Sequence, residues 1–190
     1  MKDIIQFLSD NEKLVTGWTA ILAVFMSLVS IIVTVVNMII QRRHNRKTLQ
    51  PIGSITLGDY ENRIRVRLRN DGVGPMIIEN TEVYEIESGL KLGSFLIELM
   101  PVLVDGITWS DFVRDMSGRA FAANRHIDLV LLEGDSEDER FAQSRQNVRA
   151  ALANLRIRVS YRSVYGEKFS AERSLDWFGR FAKDEEEQLA

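Results

Sequence analysis

Residues 14–40 read LVTGWTAILAVFMSLVSIIVTVVNMII, twenty-seven residues without a formal charge. As an α-helix rising about 1.5 Å per residue, this run would extend about 40 Å, longer than the ~30 Å hydrocarbon layer of a bilayer. A secretory signal peptide calls for a positive start, a shorter apolar core and a small-residue cleavage site. Here Lys2 and Lys13 are balanced by Asp3, Asp10 and Glu12, and the run is too long. A core helix of a soluble protein would need comparably apolar partner helices, which the remaining sequence does not offer. The stretch therefore reads as a single transmembrane helix that adds the lipid bilayer to the partners. Residues 1–13 form a short extracytoplasmic N-terminus, whose Ile4, Ile5, Phe7 and Leu8 would lie along the interface.

Directly after the run comes QRRHNRK, with Arg42, Arg43, Arg46 and Lys47 on a basic juxtamembrane segment, residues 41–50. The N-terminal flank is near neutral, so the excess of positive charge places everything downstream in the cytoplasm, with these four cations at the membrane surface. Within the helix, Thr16, Ala20, Ala23, Ser27, Ser30, Thr34 and Asn37 recur at alternating steps of four and three. That spacing makes a seam of small or weakly polar side chains, the pattern that lets helices approach closely. The Asn37 amide is costly to leave unpaired in hydrocarbon, and the same residue of a second copy would satisfy it. The expected association is a homo-oligomer or a pairing with another membrane protein.

The net charge of −3 is unevenly spread. Residues 1–50 carry six Lys/Arg against three Asp/Glu, whereas the remainder carries eighteen against twenty-four. An acidic soluble part argues against non-specific nucleic-acid binding. The absence of cysteine excludes a disulfide framework, a thiol nucleophile and cysteine-based metal sites.

Residues 51–182 read as a β-rich domain and 183–190 (KDEEEQLA) as an acidic tail. RIRVRLR at 63–69 alternates strictly, with Ile64, Val66 and Leu68 facing a core and the arginines facing water. LRIRVSY at 155–161 repeats the pattern, with Leu155, Ile157, Val159 and Tyr161 inward. Further strands are expected at 52–57, 76–86, 126–132 and 168–175, separated by Gly, Asn and Pro turns. Asp105 to Gly118 is expected as a short helix or covering loop. Phe141, Val148 and Leu152 recur at helical spacing within 137–153, which predicts one amphipathic helix packed across an edge or face of the sheet. Such a pattern is best solved by two packed antiparallel sheets. The expected class is mainly β, an immunoglobulin-like β-sandwich or a partly open barrel with one packed helix.

NDGVGPMII at 70–78 together with VSYRSVYGEKF at 159–169 resembles a recurring pattern in poorly characterised bacterial membrane-anchored proteins, which carry an N-terminal transmembrane helix and a β-rich cytoplasmic domain. The resemblance implies a single-pass protein of the bacterial inner membrane. Some proteins of this kind look like membrane components of defence systems.

No catalytic constellation is legible. His44 and His126 lack a second histidine at metal-binding spacing, and Asp135, Glu137, Asp138 and Glu139 lack the ligand alternation of a calcium loop. Gly72 and Gly74 lack the context of a phosphate loop and read as residues needed for backbone conformation. The notable polar feature is arginine placement: Arg63, Arg65, Arg67 and Arg69 on one strand, Arg156, Arg158 and Arg162 on another. Were these strands neighbours, they would form a basic surface for phosphate or an acidic partner. Glu79, Glu85 and Glu87 on an intervening strand would instead neutralise them. The expectation is a non-enzymatic, cofactor-free interaction or effector module with a cytoplasmic protein partner. The alternatives are a sensor of a phosphorylated small molecule and, given several copies, a membrane-perturbing defence effector.

Overall fold

The computed structural model describes residues 12–180, which separate into two units between Lys47 and Thr48. The N-terminal extension and the acidic tail expected from the sequence lie largely or wholly outside the described residues. The first unit is helix α1, Glu12–Thr48, 37 residues without interruption. It is long and apolar enough to cross a membrane. β-Branched residues make up about half of its 14–40 run, a composition of poor helix propensity in water. The Thr19, Ser30 and Thr34 hydroxyls donate to the carbonyls of Thr16, Met26 and Ser30 at 2.9, 2.9 and 2.7 Å. The helix continues through the four cations after Ile40, and Arg46 and Lys47 complement the negative end of its dipole in the last turn. It stops at Thr48, three residues before Pro51, which has no N–H to carry it on.

The second unit contains strands β1 (Gly53–Tyr60), β2 (Arg63–Asn70), β3 (Met76–Glu85), β4 (Lys91–Gly93), β5 (Asp111–Phe112), β6 (Ala120–Phe121), β7 (His126–Glu133), β8 (Leu155–Arg162) and β9 (Lys168–Ser174). They form two antiparallel sheets. The first has the order β1-β2-β7-β5, the second β4-β3-β8-β9 with β6 beside β3. Among the described residues neither sheet closes into a barrel. The region expected as a helix or loop at 105–118 is mostly loop and contributes the two-residue edge strand β5.

Alternation fills the core as the pattern predicts. Ile64, Val66 and Leu68 of β2 and Ile157, Val159 and Tyr161 of β8 are buried with Met76, Ile78, Val83, Val130 and Leu132. Of three register shifts in the sheets, two interrupt it. On β7, Val66 faces Val130 but Arg67 faces Asp128, so Leu129 is the extra residue. On β3, Ile78 faces Tyr161 but Asn80 faces Ser160, so Glu79 is the extra one. A bulge of this kind reverses the facing of everything beyond it. It brings Asp128 to the same face as Arg67, and turns Thr81 and Val83 inward.

Helix α2, Glu139–Ala153, is the crossover from β7 in the first sheet to β8 in the second. Asp138 caps it by accepting the Arg140 N–H at 2.9 Å. Phe141, Ser144, Val148 and Leu152 form its buried stripe, and Ser144 Oγ accepts the Val104 N–H at 3.0 Å. Phe141 packs so closely on Gly134 that a Cβ there would stand 2.3 Å from the ring. A 3-10 turn, Asp176–Gly179, packs against α2 and buries Phe178 fully. Trp177 stays partly exposed beneath the Arg180 guanidinium, and Phe181 lies outside the described residues.

Candidate functional site

The two arginine rows are not neighbours. β2 pairs with β1 and β7 in the first sheet, whereas β8 pairs with β3 and β9 in the second. Since both strands bury their apolar residues between the sheets, their arginines point away from each other on the two outer faces. The single basic surface spanning both rows therefore does not exist. Alternation fixes which face a side chain takes but not which strand stands alongside.

On the second sheet the arginines are answered by carboxylates. Arg158 stands between Glu82 of β3 and Glu172 of β9 in the register, and its Nη2 lies 2.6 Å from Glu172. The hydrogen bond to Glu172 is the main reason the Arg158 pKa is raised. Arg156 reaches Glu172 at 3.5 Å and Arg162 reaches Glu79 at 3.5 Å. Glu82 is held below the ordinary carboxylate value first by Lys91, whose Nζ donates at 2.8 Å, then by the Tyr84 hydroxyl at 2.9 Å. Of the three neutralising glutamates expected, only Glu79 pairs with an arginine of the row. Glu85 instead accepts from Ser88 Oγ at 2.5 Å, and Glu87 lies in the turn that follows β3. No strand intervenes between the two rows because the rows belong to different sheets.

On the first sheet, Arg67 forks onto Asp128, with Nε to Oδ1 at 2.7 Å and Nη2 to Oδ2 at 2.8 Å. That hydrogen bond raises the Arg67 pKa against the opposing effect of burial. Arg69 pairs with Asp71, while Arg63 comes only to 3.9 Å from Glu133 and lies 4.7 Å from the Tyr60 ring centre. Arg65 has no carboxylate partner among the described residues, and its Nε is buried without a hydrogen bond. Its stem lies flat over Gly58, where a Cβ would stand 3.0 Å from Arg65 Cγ and 2.9 Å from Nε.

Two polar clusters escaped the sequence. Asp59, at the end of β1, receives Arg149 of α2 and Arg180 of the last turn, the latter at 3.2 Å. Beside it Arg145 donates to the carbonyls of Tyr60 and Glu61. Burial, and then the neighbouring Arg149, pull its pKa down. Asp59, Tyr60, Glu61, Arg145 and Arg149 line an open cleft of about 840 Å³ with Asn62 and Ser136. The cleft mixes both charges, and its arginines are spent on joining hairpin, helix and C-terminal turn.

The other cluster is built on Asn70, which is fully buried. Its Oδ1 accepts the N–H groups of Ile52 and Gly72 at 3.3 and 3.1 Å, and its Nδ2 donates to the Gly74 carbonyl at 2.8 Å. Gly72 and Gly74 do not have positive φ, so backbone freedom is not what they supply. They supply room: a Cβ on Gly74 would fall 1.8 Å from the Leu49 carbonyl oxygen, and one on Gly72 2.4 Å from the Ile52 nitrogen. The only available cue was the Asn-Asp-Gly turn chemistry, which does not reveal contacts to residues 49–52.

Along α1 the seam residues expected from Thr16 to Asn37 are all helical and exposed. Ser30 and Thr34 satisfy their hydroxyl protons within the helix, whereas the Asn37 side-chain amide makes no hydrogen bond among the described residues. Among the described residues no group of three or more His, Asp and Glu is placed to hold a metal ion. No protein-family model and no curated protein matches the sequence of this chain.

Proposed function

We propose that the chain is a non-enzymatic, membrane-tethered interaction or effector module. The observation that carries this reading is the joining of an uninterrupted 37-residue helix, built around the apolar run at 14–40, to a separate two-sheet domain. The excess of cations after Ile40 favours an N-terminus outside and a domain in the cytoplasm. The resemblance of the turn and strand segments favours a bacterial inner membrane. The strand orders β1-β2-β7-β5 and β4-β3-β8-β9 follow the A-B-E-D and C′-C-F-G arrangement of immunoglobulin-like domains, with α2 in the E–F connection. Domains of this architecture commonly present faces and loops to other proteins. The unpartnered Asn37 amide supports self-association or pairing with another membrane protein.

The sensor reading draws less support, because the two arginine rows lie on opposite faces and six of the seven side chains have carboxylate partners. The test is proximity crosslinking in native membranes followed by purification of the full chain. A stable protein partner, retained after small ligands are dialysed away, is the expected outcome. Recovery of the chain alone from crosslinked membranes would overturn the proposal.

A further inference from the structure

We infer that the end of the β domain where the chain enters rests on the bilayer surface, with Ile52, Val73, Val164 and Tyr165 among the lipid headgroups. This goes beyond the tethered-module reading and rests on its membrane part, since it needs α1 in a bilayer. Gly53 faces Asn70, Arg69 faces His126, Ile77 faces Arg162 and Arg162 faces Lys168. That register gathers four segments at one end: residues 49–52, the β2–β3 connection 71–75, the loop 122–125 and the β8–β9 turn 163–167. Three of the four hold large apolar side chains out in water. Ile52 is 55% exposed, Val73 66%, Val164 47% and Tyr165 43%.

Scattered exposed apolar residues are ordinary on a soluble surface. What marks these is where they lie. Residues 49–52 are fastened to the β2–β3 connection, because Asn70 Oδ1 accepts the Ile52 N–H at 3.3 Å and the Asp71 N–H donates to the Ile52 carbonyl at 2.7 Å. Val73 therefore stays beside the point of entry. From Ile40, eight helical residues and four extended ones span at most about 26 Å, so a bilayer that holds α1 keeps these loops within reach. At such confinement a contact too weak to bind a free domain suffices. Apolar tips on separate loops, with a tyrosine among them, suit a headgroup layer where the loop backbones keep their water.

Charge selects the same end. Tyr60 faces Arg63, Arg63 faces Glu133 and Glu85 faces Leu155, which gathers the loops 61–62, 86–90 and 134–138 at the opposite end. Those loops hold Glu61, Glu87, Asp135, Glu137 and Asp138 and no Lys or Arg, so an anionic leaflet repels them. The four segments at the entry hold only Asp71, Glu167 and Arg125, and Arg69 lies 2.5 Å from Asp71.

The test uses the full chain in nanodiscs of phosphatidylcholine and phosphatidylglycerol, loaded to one chain per disc. The sequence has no cysteine, so Ala122→Cys carries a single fluorophore at the entry end and Leu90→Cys one at the opposite end. Quenching by lipids spin-labelled at the headgroup should be strong at position 122 and weak at position 90. Val73→Asp combined with Val164→Asp should lower the ratio of docked to undocked chains about tenfold, the scale of returning a few methylene groups to water, and the quenching at position 122 with it. Val73→Leu combined with Val164→Leu should keep the quenching, which separates loss of contact from loss of fold. Equal quenching at the two positions, or quenching at position 122 that the aspartates leave unchanged, would overturn the inference. Quenching that appears only in discs holding two chains would make a second copy the occupant and overturn the assignment to lipid. Alkaline extraction of native membranes distinguishes the two levels. A chain released into solution sinks the tethered reading, whereas a chain retained in the membrane without quenching at position 122 sinks this inference alone.

Discussion

Asp59 and Arg149 meet through a two-pronged ion pair, Nε to Oδ2 at 3.0 Å and Nη2 to Oδ1 at 3.1 Å, with the Asp59 side chain only 1% exposed. Arg180 adds a second cation to the same carboxylate, so one aspartate ties β1, α2 and the C-terminal turn together. Removing one member of a buried pair strands the other without hydration, so Asp59→Ala should cost about 3 kcal/mol. Arg140→Ala breaks a more exposed pair with Asp138 and should cost far less. Thermal unfolding of the two variants in detergent measures the contrast. Equal losses would show that burial does not set the strength of the Asp59 pair.

The regular parts of this architecture were legible because they are periodic. β2 and β8 alternate without interruption, and the Phe141, Val148, Leu152 stripe repeats at helical spacing. The apolar run of α1 needs only length and lack of charge. Strands β4, β5 and β6 were illegible because two or three residues carry no period. The bulges at Leu129 and Glu79 hid Asp128 and Glu82 as partners, since one extra residue reverses the face that simple alternation assigns. Arg149 and Arg180 lie 90 and 121 positions from Asp59, whose carboxylate they share. No local pattern announces contacts of that range. Even the correct outward facing of both arginine rows could not place them in different sheets, which depends on the crossover made by α2.

Gly74→Ala tests the packing of residues 49–52 on the β2–β3 connection. The added Cβ would meet the Leu49 carbonyl oxygen, a backbone atom that cannot rotate away, and the buried Asn70 bonds to Ile52 and Gly74 depend on the same geometry. A loss of about 2 kcal/mol or more is expected, with new protease cleavage near residue 50. Gly89→Ala is a useful contrast. Its Cβ would meet nothing, but φ is +67°, so the cost should be limited to about 1 kcal/mol of backbone strain.

Glu82 predicts a pH dependence with a definite sign. Lys91 and Tyr84 lower its folded-state value below the ordinary 4.5, so the folded chain holds the ionised form more firmly than the unfolded chain does. The contribution is complete above the unfolded value and disappears as pH falls through the depressed folded value. Glu82→Gln should therefore be less stable than wild type at pH 7, by under about 1 kcal/mol for a half-exposed pair. The difference should shrink as the pH is taken from 5 to 3. Denaturant unfolding at three pH values checks this, and a deficit that grows on acidification would contradict the arrangement around Glu82.

Asn37→Leu addresses the helix. Ser30 and Thr34 turn their hydroxyl protons back onto α1 and have little left to offer a neighbour, whereas the Asn37 side-chain amide has no partner among the described residues. A carboxamide in or near hydrocarbon gains about 0.6–2 kcal/mol from an interhelical hydrogen bond, which corresponds to a roughly threefold to thirtyfold change in association. Replacing it by leucine keeps the apolar surface and removes only that bond. Energy transfer between labelled chains in vesicles should show weaker association for Asn37→Leu, with Asn37→Gln retaining most of it because the amide remains. Thr16→Leu lies on the same seam and puts a bulkier side chain there without touching the amide, so it separates loss of the amide from general crowding of the face. If Thr16→Leu dissociates the chains and Asn37→Leu does not, association depends on close packing of small residues rather than on the polar contact.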